Sequence, residues 1–270
     1  MDDLIAAIAR RLARVRGVAG VTLGGSRARG IHLPGSDVDL GVYYRPPLDV
    51  AGLRELARAV TGTETEVTEP GTWGPWVDGG AWLDVGGQRV DWIYRDLDRV
   101  RRVWDECRAG RFTVSFQVGH PLGFASHAYA GELALGRVLA DPGGELAALQ
   151  EATRRYPAPL GEALVRGTWE ATFLLGVARK SVARGDTAWL AGCMFRVAGI
   201  LAHALHGRAG RWVTTEKGLI ASAGLLPGAP PGFAARVGRV LGAVGTTPEE
   251  HAATLDEADQ LAAEVIAATR

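Results

Sequence analysis

The sequence has no excess charge of either sign and few cysteines. Lys and Arg total 30, Asp and Glu also total 30, and the formal net charge is zero. Proteins that bind a nucleic-acid backbone usually carry a basic excess, so we expect a small-molecule partner rather than nucleic acid. The two cysteines, Cys107 and Cys193, lack the paired spacing of metal ligands, and we expect reduced thiols in a cytoplasmic protein.

Long apolar runs are also missing. No segment approaches the roughly 18 to 20 apolar residues that a membrane-spanning helix needs. Residues 1–18 alternate apolar residues with arginines at helical spacing and lack a small-residue cleavage site, which predicts an ordinary amphipathic helix. Apolar residues still make up 47% of the chain, enough to bury a core. We therefore expect a soluble monomer or homodimer without a membrane partner.

The apolar pattern predicts an α+β fold. Strand-like and helical stretches alternate in the first half, whereas residues from about 127 onward have helical periodicity almost throughout. This order predicts a strand-rich domain followed by a helical one. We place the boundary in the proline-containing segment Tyr156–Pro159, which gives domains of residues 1–155 and 156–270.

Two aspartates open a predicted strand. The segment Ser36–Tyr44 reads Ser-Asp-Val-Asp-Leu-Gly-Val-Tyr-Tyr, and residues two apart in a strand point to the same face. Asp37 and Asp39 are therefore expected to project together, opposite the apolar residues that face the core. Two adjacent carboxylates repel each other unless a cation lies between them. Mg²⁺ suits this pair, because proteins usually bind it through one or two carboxylates plus substrate phosphates.

The loop before this strand has the composition of an anion site. Gly24 and Gly25 allow backbone amides to approach a ligand closely, and Ser26 adds a hydroxyl donor. A helix that begins near residue 26 would add its positive end. Arg27 and Arg29 could reinforce the site. We therefore predict that Gly25, Ser26 and Arg27 bind the phosphates of a nucleotide.

A β-hairpin predicted around Gly86–Gly87 supplies a third carboxylate. Paired glycines favour a tight turn, which places Asp84 opposite Arg89 and Trp82 opposite Asp91. In this register we expect a cross-strand ion pair between Asp84 and Arg89, and Asp91 is the remaining acid. We predict that Asp91 is a metal ligand, the general base for an acceptor hydroxyl, or both.

With Gly25-Ser26, Asp37-Val38-Asp39 and Asp91, the chain resembles the nucleotidyltransferases of the DNA polymerase β superfamily. The resemblance implies a mixed sheet with flanking helices and a pair of Mg²⁺ ions. It also implies a nucleoside triphosphate, with ATP favoured, whose α-phosphate is attacked by an acceptor hydroxyl with release of pyrophosphate.

The succession of a strand-rich half and a helical half is similar to the aminoglycoside nucleotidyltransferases, particularly the streptomycin and spectinomycin adenylyltransferases. This resemblance implies an antibiotic-like acceptor and a C-terminal domain that clamps substrate and nucleotide. Lys217, in Arg211–Ala221, matches a lysine-bearing turn of that domain, and Lys180 is the only other lysine in the chain. Both are predicted to bind the triphosphate. The segment Val118–Phe124 resembles an uncharacterised actinobacterial branch of nucleotidyltransferases.

Two other functions fit parts of the sequence. Arg196 and His203 have six residues between them and satisfy the Arg-x(4–6)-His pattern of HEPN ribonucleases. In toxin–antitoxin systems such proteins are partners of minimal nucleotidyltransferases, which modify a protein or RNA. A non-catalytic nucleotide-binding regulator is the other alternative, although inactivated sites usually lack one of the acids and this chain has all three.

Tryptophan is abundant for a chain of this size, with eight residues that include Trp73, Trp76, Trp82 and Trp92. Aromatic faces attract cations and pack against rings. These side chains either line a site for a ring-rich or cationic acceptor or belong to the core, and the sequence leaves both interpretations open.

Overall fold

The computed structural model describes residues 2–270, which form two compact units. The predicted glycine loop and the three predicted metal-binding aspartates belong to the first unit. This unit comprises the chain up to Glu106 together with Thr113–Arg155. Its helices are α1 (Asp2–Leu12), α2 (Gly25–Ala28), α3 (Val50–Thr61), α4 (Leu97–Arg108, whose end belongs to the second unit), α5 (Ala128–Leu135) and α6 (Glu145–Arg154). Its strands are β1 (Val18–Leu23), β2 (Val38–Tyr44), β3 (Gly80–Val85), β4 (Gln88–Asp96), β5 (Val114–Gln117), β6 (His120–Ala125) and β7 (Arg137–Ala140).

Five of these strands form a mixed sheet in the order β3-β4-β2-β1-β7. Strands β2 and β4 pair in parallel, and the other three pairs are antiparallel. Strands β5 and β6 form a separate two-stranded sheet. The predicted α+β class, with a mixed sheet and flanking helices before a helical region, is confirmed.

The core of the first unit lies on one face of this sheet. Val38, Leu40 and Val42 of β2 are fully buried there, in a cluster with the apolar residues of α1 and α3. Asp39 and Gly41 alternate with them and are half-buried. Because successive strand residues point to opposite faces, burial of the apolar set directs the acidic set to the other face of the sheet.

The helical periodicity that begins at about residue 127 predicts a first helix over residues 127–140, and this prediction is wrong at its end. Helix α5 ends at Leu135, and Arg137–Ala140 forms β7, which pairs with β1 at the edge of the sheet. Gly136 separates the two elements in an extended conformation. A four-residue strand is too short for its apolar period to be distinguished from a helical one, and its pairing with β1 decides the structure.

The second unit comprises Cys107–Phe112 and Tyr156–Arg270 and is helical apart from its connecting loops. It contains α7 (Ala158–Arg166), α8 (Thr168–Ser181), a 3₁₀ turn (Val182–Arg184), α9 (Thr187–Arg208), α10 (Leu219–Ala223), α11 (Phe233–Gly242) and α12 (Pro248–Thr269). Contrary to the expectation that no segment is long and apolar enough to span a membrane, helix α9 meets that criterion by length and composition alone. More than half of its apolar window is buried against the other helices, as in the core helix of a helical bundle.

Candidate active site

Asp39 and Asp91 lie directly beside each other on parallel strands. The register of β2 and β4 pairs Asp39 with Asp91, between the core pairs Val38–Val90 and Leu40–Trp92. Both acids are half-buried, on the sheet face opposite the core. The sheet therefore brings together two carboxylates that are 52 positions apart in sequence (91 − 39). Two such charges favour a cation between them.

The glycine loop after β1 lies against Asp39. The Gly24 amide donates a hydrogen bond to the Asp39 carbonyl at 2.8 Å. Gly25 has a left-handed backbone with φ +61°, and a Cβ atom there would lie 1.8 Å from Asp39 Oδ2. The carboxylate thus occupies the space that any other side chain at position 25 would need. This close approach explains the second glycine of the motif.

Helix α2 begins at Gly25 but is a single turn of four residues. A helix therefore begins close to the predicted start near residue 26, but a single turn adds little of the positive end expected there. Ser26 is half-buried in this turn. The exposed Gly25 and the Ser26 hydroxyl leave loop donors beside the acids, which is the arrangement that favours an anion.

Arg27 binds the backbone ahead of β2. Its guanidinium donates to the Ser36 carbonyl at 2.8 Å and to the Asp37 carbonyl at 3.1 Å. It also donates to Gln88 Oε1 at 3.2 Å, and Gln88 Nε2 donates to the same Ser36 carbonyl at 3.2 Å. The side chain thus connects the glycine loop, the entry to β2 and the start of β4. Its contact with a nucleotide stays a prediction.

Asp37 precedes β2 by one residue and is half-buried. No cluster of three or more His, Cys, Asp or Glu side chains forms a ready-made metal cage within residues 2–270. A magnesium site does not require one, because Mg²⁺ keeps several waters and is completed by substrate phosphates. The pairing of Asp39 with Asp91 beside the glycine loop fits such a site, and the role of Asp37 as a further metal ligand stays a prediction.

The predicted hairpin register is present, with Asp84 opposite Arg89 and Trp82 opposite Asp91. The expected ion pair is not: Asp84 Oδ1 accepts a hydrogen bond from the Gly87 amide at 2.7 Å. No salt bridge joins Asp84 and Arg89 in the described chain. An aspartate at this position satisfies a turn amide locally, which competes with an exposed ion pair of little net stability.

A buried ion pair farther along the acid-bearing face was not predicted. Arg95 binds Glu132 of α5 through two hydrogen bonds of 2.7 and 2.9 Å, and its guanidinium lies 4.9 Å from the Tyr129 ring centroid. Burial raises the pKa of the neighbouring Tyr43 above its usual value, and Glu132 raises it further. The pair attaches α5 to the sheet. The period of two in a strand could have placed Arg95, four residues after Asp91, on the same face of the sheet as that acid.

The two predicted lysine ligands belong to the second unit. Lys180 lies in the last turn of α8, and Lys217 lies in the loop before α10. Both side chains are exposed. Arg196 of the alternative ribonuclease pattern forms an ion pair with Glu170 at 2.8 Å.

Comparison with known proteins assigns the region around Gly25 and Asp39. Residues 5–70 match the family model described as "Nucleotidyltransferase domain". The chain contains a nucleotidyltransferase domain. The match includes Gly25, Ser26, Asp37 and Asp39, whereas Asp91 lies beyond it. It confirms the predicted enzyme class, and such a domain implies a nucleoside triphosphate and a divalent metal ion.

A crystal structure of a nucleotidyltransferase-like protein from Exiguobacterium sibiricum is similar in fold, with a TM-score of 0.50 and 13% sequence identity. The similarity covers 100% of this chain and 77% of that one. At this identity the likeness concerns the fold alone. No curated protein matches the chain at a significant level.

Proposed function

We propose that this nucleotidyltransferase uses Mg²⁺ to transfer a nucleoside monophosphate, AMP from ATP in the first instance, to a hydroxyl of a small molecule. The paired carboxylates of Asp39 and Asp91, with Gly25 packed against Asp39, carry the proposal. An antibiotic of the aminoglycoside type is the first acceptor class to test, from the resemblance to the streptomycin and spectinomycin adenylyltransferases. The balance of acidic and basic residues supports a small acceptor over nucleic acid. The proposed reaction takes place in the cytoplasm.

The residues of the site have distinct roles in the proposed reaction. Asp37, Asp39 and Asp91 would hold two Mg²⁺ ions, which stabilise negative charge on the attacking and leaving oxygens. The loop at Gly25 and Ser26 binds triphosphate oxygens through N–H and O–H donors. Arg27, Lys180 and Lys217 remain predicted nucleotide ligands; in the structure, Arg27 also fixes the backbone of Asp37.

Asp91 accepts the proton of the acceptor hydroxyl. The hydroxyl oxygen then bonds to the α-phosphorus, and the bond from that phosphorus to the bridging oxygen of the β-phosphate breaks. Pyrophosphate leaves with the electron pair. The half-buried position of Asp91 leaves it accessible to an acceptor above the sheet.

The decisive experiment is incubation with α-labelled triphosphates, Mg²⁺ and a panel of aminoglycosides, lincosamides and candidate proteins, followed by mass spectrometry. We expect a nucleotide adduct on a small molecule with the wild-type chain and none with Asp39→Asn. Asp84→Asn is the matched control, since this exposed acid lies on β3, two strands from Asp39 in the same sheet, and caps a turn. An adduct on a protein or RNA instead would favour the toxin–antitoxin alternative. Full activity of Asp39→Asn would refute the assigned site.

A further inference from the structure

Trp82 exposes a large indole beside the acid pair. It is 66% exposed on β3, although tryptophan usually buries most of its surface. The ring stacks on Trp73 with centroids 4.3 Å apart and planes 12° from parallel. Trp92, by contrast, is fully buried in the core. Core packing therefore accounts for Trp92 but not for the exposed surface of Trp82.

The strand registers place this stack in line with the site. Trp82 is directly opposite Asp91 across β3 and β4, and Asp91 is directly opposite Asp39 across β4 and β2. Side chains directly opposite each other lie on the same face, with Cβ atoms roughly 5 Å apart. An indole, two carboxylates and the glycine loop thus follow one another across three neighbouring strands.

The loop that carries Trp73 is held in place by a buried glutamine. Gln117, 2% exposed, donates to the Trp73 carbonyl at 2.8 Å and accepts from the amides of Trp76 and Val77 at 3.0 and 3.1 Å. Tyr129 also donates to the Trp76 carbonyl. Gly74 has φ +130°, and a Cβ there would lie 2.7 Å from the Gln117 amide group. A fixed loop loses little entropy when a ligand binds, which is what a binding surface requires.

We propose that Trp73 and Trp82 form a stacking platform for the acceptor, and that the acceptor presents a saturated ring that bears hydroxyl groups. The face of such a ring consists of C–H groups, whose partial positive charge matches the negative face of an indole. Its equatorial hydroxyls lie near the plane of the ring. A ring stacked on Trp82 therefore directs a hydroxyl along the sheet toward Asp91.

The same geometry argues against the nucleobase as the occupant. The inference rests on the proposed function, in which Asp91 takes the proton of the attacked hydroxyl. The molecule beside Asp91 must then carry that hydroxyl, which forms the new bond to the α-phosphorus as pyrophosphate leaves. An aromatic base has no ring alcohol to supply it, so its stacking on Trp82 would separate Asp91 from the acceptor.

The platform can be tested without knowledge of the natural acceptor. Protein labelled with 5-fluorotryptophan has eight indole signals, and those of Trp73 and Trp82 are assigned by single substitution. The probes are scyllo-inositol, a saturated ring with equatorial hydroxyls only, and adenine, an aromatic base without a sugar. We expect scyllo-inositol to shift the Trp73 and Trp82 signals saturably. Trp82→Ala should weaken its binding, followed at Trp73, by roughly three- to tenfold.

Trp169→Ala is the matched control, because Trp169 is similarly exposed, at 68%, but lies on α8 in the second unit. Trp82→Phe, which keeps a smaller ring face, should recover part of the affinity. Unmoved Trp73 and Trp82 signals, or shifts with adenine in place of scyllo-inositol, would overturn the platform. Neither result touches the proposed transfer, which is judged separately by the labelled adduct and its loss in Asp39→Asn.

Discussion

Substitution of Gly25 by alanine tests the claim that Asp39 must hold one position. Two separate costs follow from the structure. The left-handed backbone at φ +61° costs a residue with a Cβ about 1–2 kcal/mol. The new Cβ would also lie 1.8 Å from Asp39 Oδ2, whereas real Cβ contacts stay beyond 3.0 Å, so the two groups must separate by at least 1.2 Å (3.0 − 1.8).

A displacement of about 1 Å in a catalytic group can cost on the order of 100-fold in rate. We therefore expect Gly25→Ala to lower kcat about 100-fold and the free energy of unfolding by at least 1–2 kcal/mol. The rate is measured as Mg²⁺-dependent pyrophosphate release with the acceptor found in the labelling experiment. Stability is measured by urea unfolding.

Two neighbouring glycines separate the costs. Gly30 also has a left-handed backbone, φ +69°, but a Cβ there meets nothing within 4 Å, so Gly30→Ala should lose stability and keep kcat. A Cβ at Gly24 makes ordinary contacts at 3.7 Å with Asp39, and its φ of −112° suits any residue. Gly24→Ala should therefore be stable. If Gly25→Ala keeps kcat within threefold of wild type, the position of Asp39 does not limit the reaction.

Four further substitutions test single residues. Asp91→Asn should lower kcat by about 10²–10⁴-fold and ATP affinity far less, because it removes a proton acceptor while Asp37 and Asp39 remain as proposed Mg²⁺ ligands. Lys217→Met should raise the Kd for ATP about tenfold through loss of one ammonium contact, measured by calorimetry. Arg27→Lys should raise the Mg²⁺ concentration for half-maximal rate, since an ammonium cannot span the carbonyls ahead of β2. Arg95→Met should lower the free energy of unfolding by about 3–5 kcal/mol, because Glu132 loses its buried partner.

Each of these four predictions would be contradicted by a different result. Unchanged turnover of Asp91→Asn would assign the base elsewhere, and an unchanged Kd in Lys217→Met would make Lys217 a surface residue. If Arg27→Lys raises the Kd for ATP but not the Mg²⁺ requirement, Arg27 is a nucleotide ligand rather than a support for the loop. For the ion pair, the double variant Arg95→Met with Glu132→Leu should recover stability relative to Arg95→Met alone; a further loss would contradict the account.

The strands around the site could be predicted because each has a strong local signal. Asp37, Val38 and Asp39 alternate with period two, and Gly86-Gly87 specifies a two-residue turn that fixes the whole register of β3 with β4. Both signals depend only on neighbouring residues. The Gly25-Ser26 and Asp37-Val38-Asp39 parts of the nucleotidyltransferase motif were recognisable for the same reason, since they lie within one continuous stretch.

Contacts between residues that are far apart in the chain could not be predicted from the sequence. Nothing local in Arg137–Ala140 shows that it pairs with β1, and nothing near Arg95 identifies Glu132 as its partner. The same holds for Gln117, whose hydrogen bonds to the loop of Trp73 join residues 44 positions apart. The predicted ion pair between Asp84 and Arg89 was wrong for a different reason. The Gly87 amide and the Arg89 cation compete for the Asp84 carboxylate at nearly equal free energy.

The parallel pairing of β2 and β4 has a consequence for how this chain tolerates insertions and deletions. The distance between Asp39 and Asp91 is set by strand register and is independent of the length of chain that connects them. One residue added inside β4 ahead of Asp91 would turn its carboxylate into the core. Residues added between α3 and β3, where Trp73 lies, leave that register intact. The loop proposed to face the acceptor can therefore diversify by length while the acids proposed to bind metal stay fixed, so substrate choice and transfer chemistry can evolve separately.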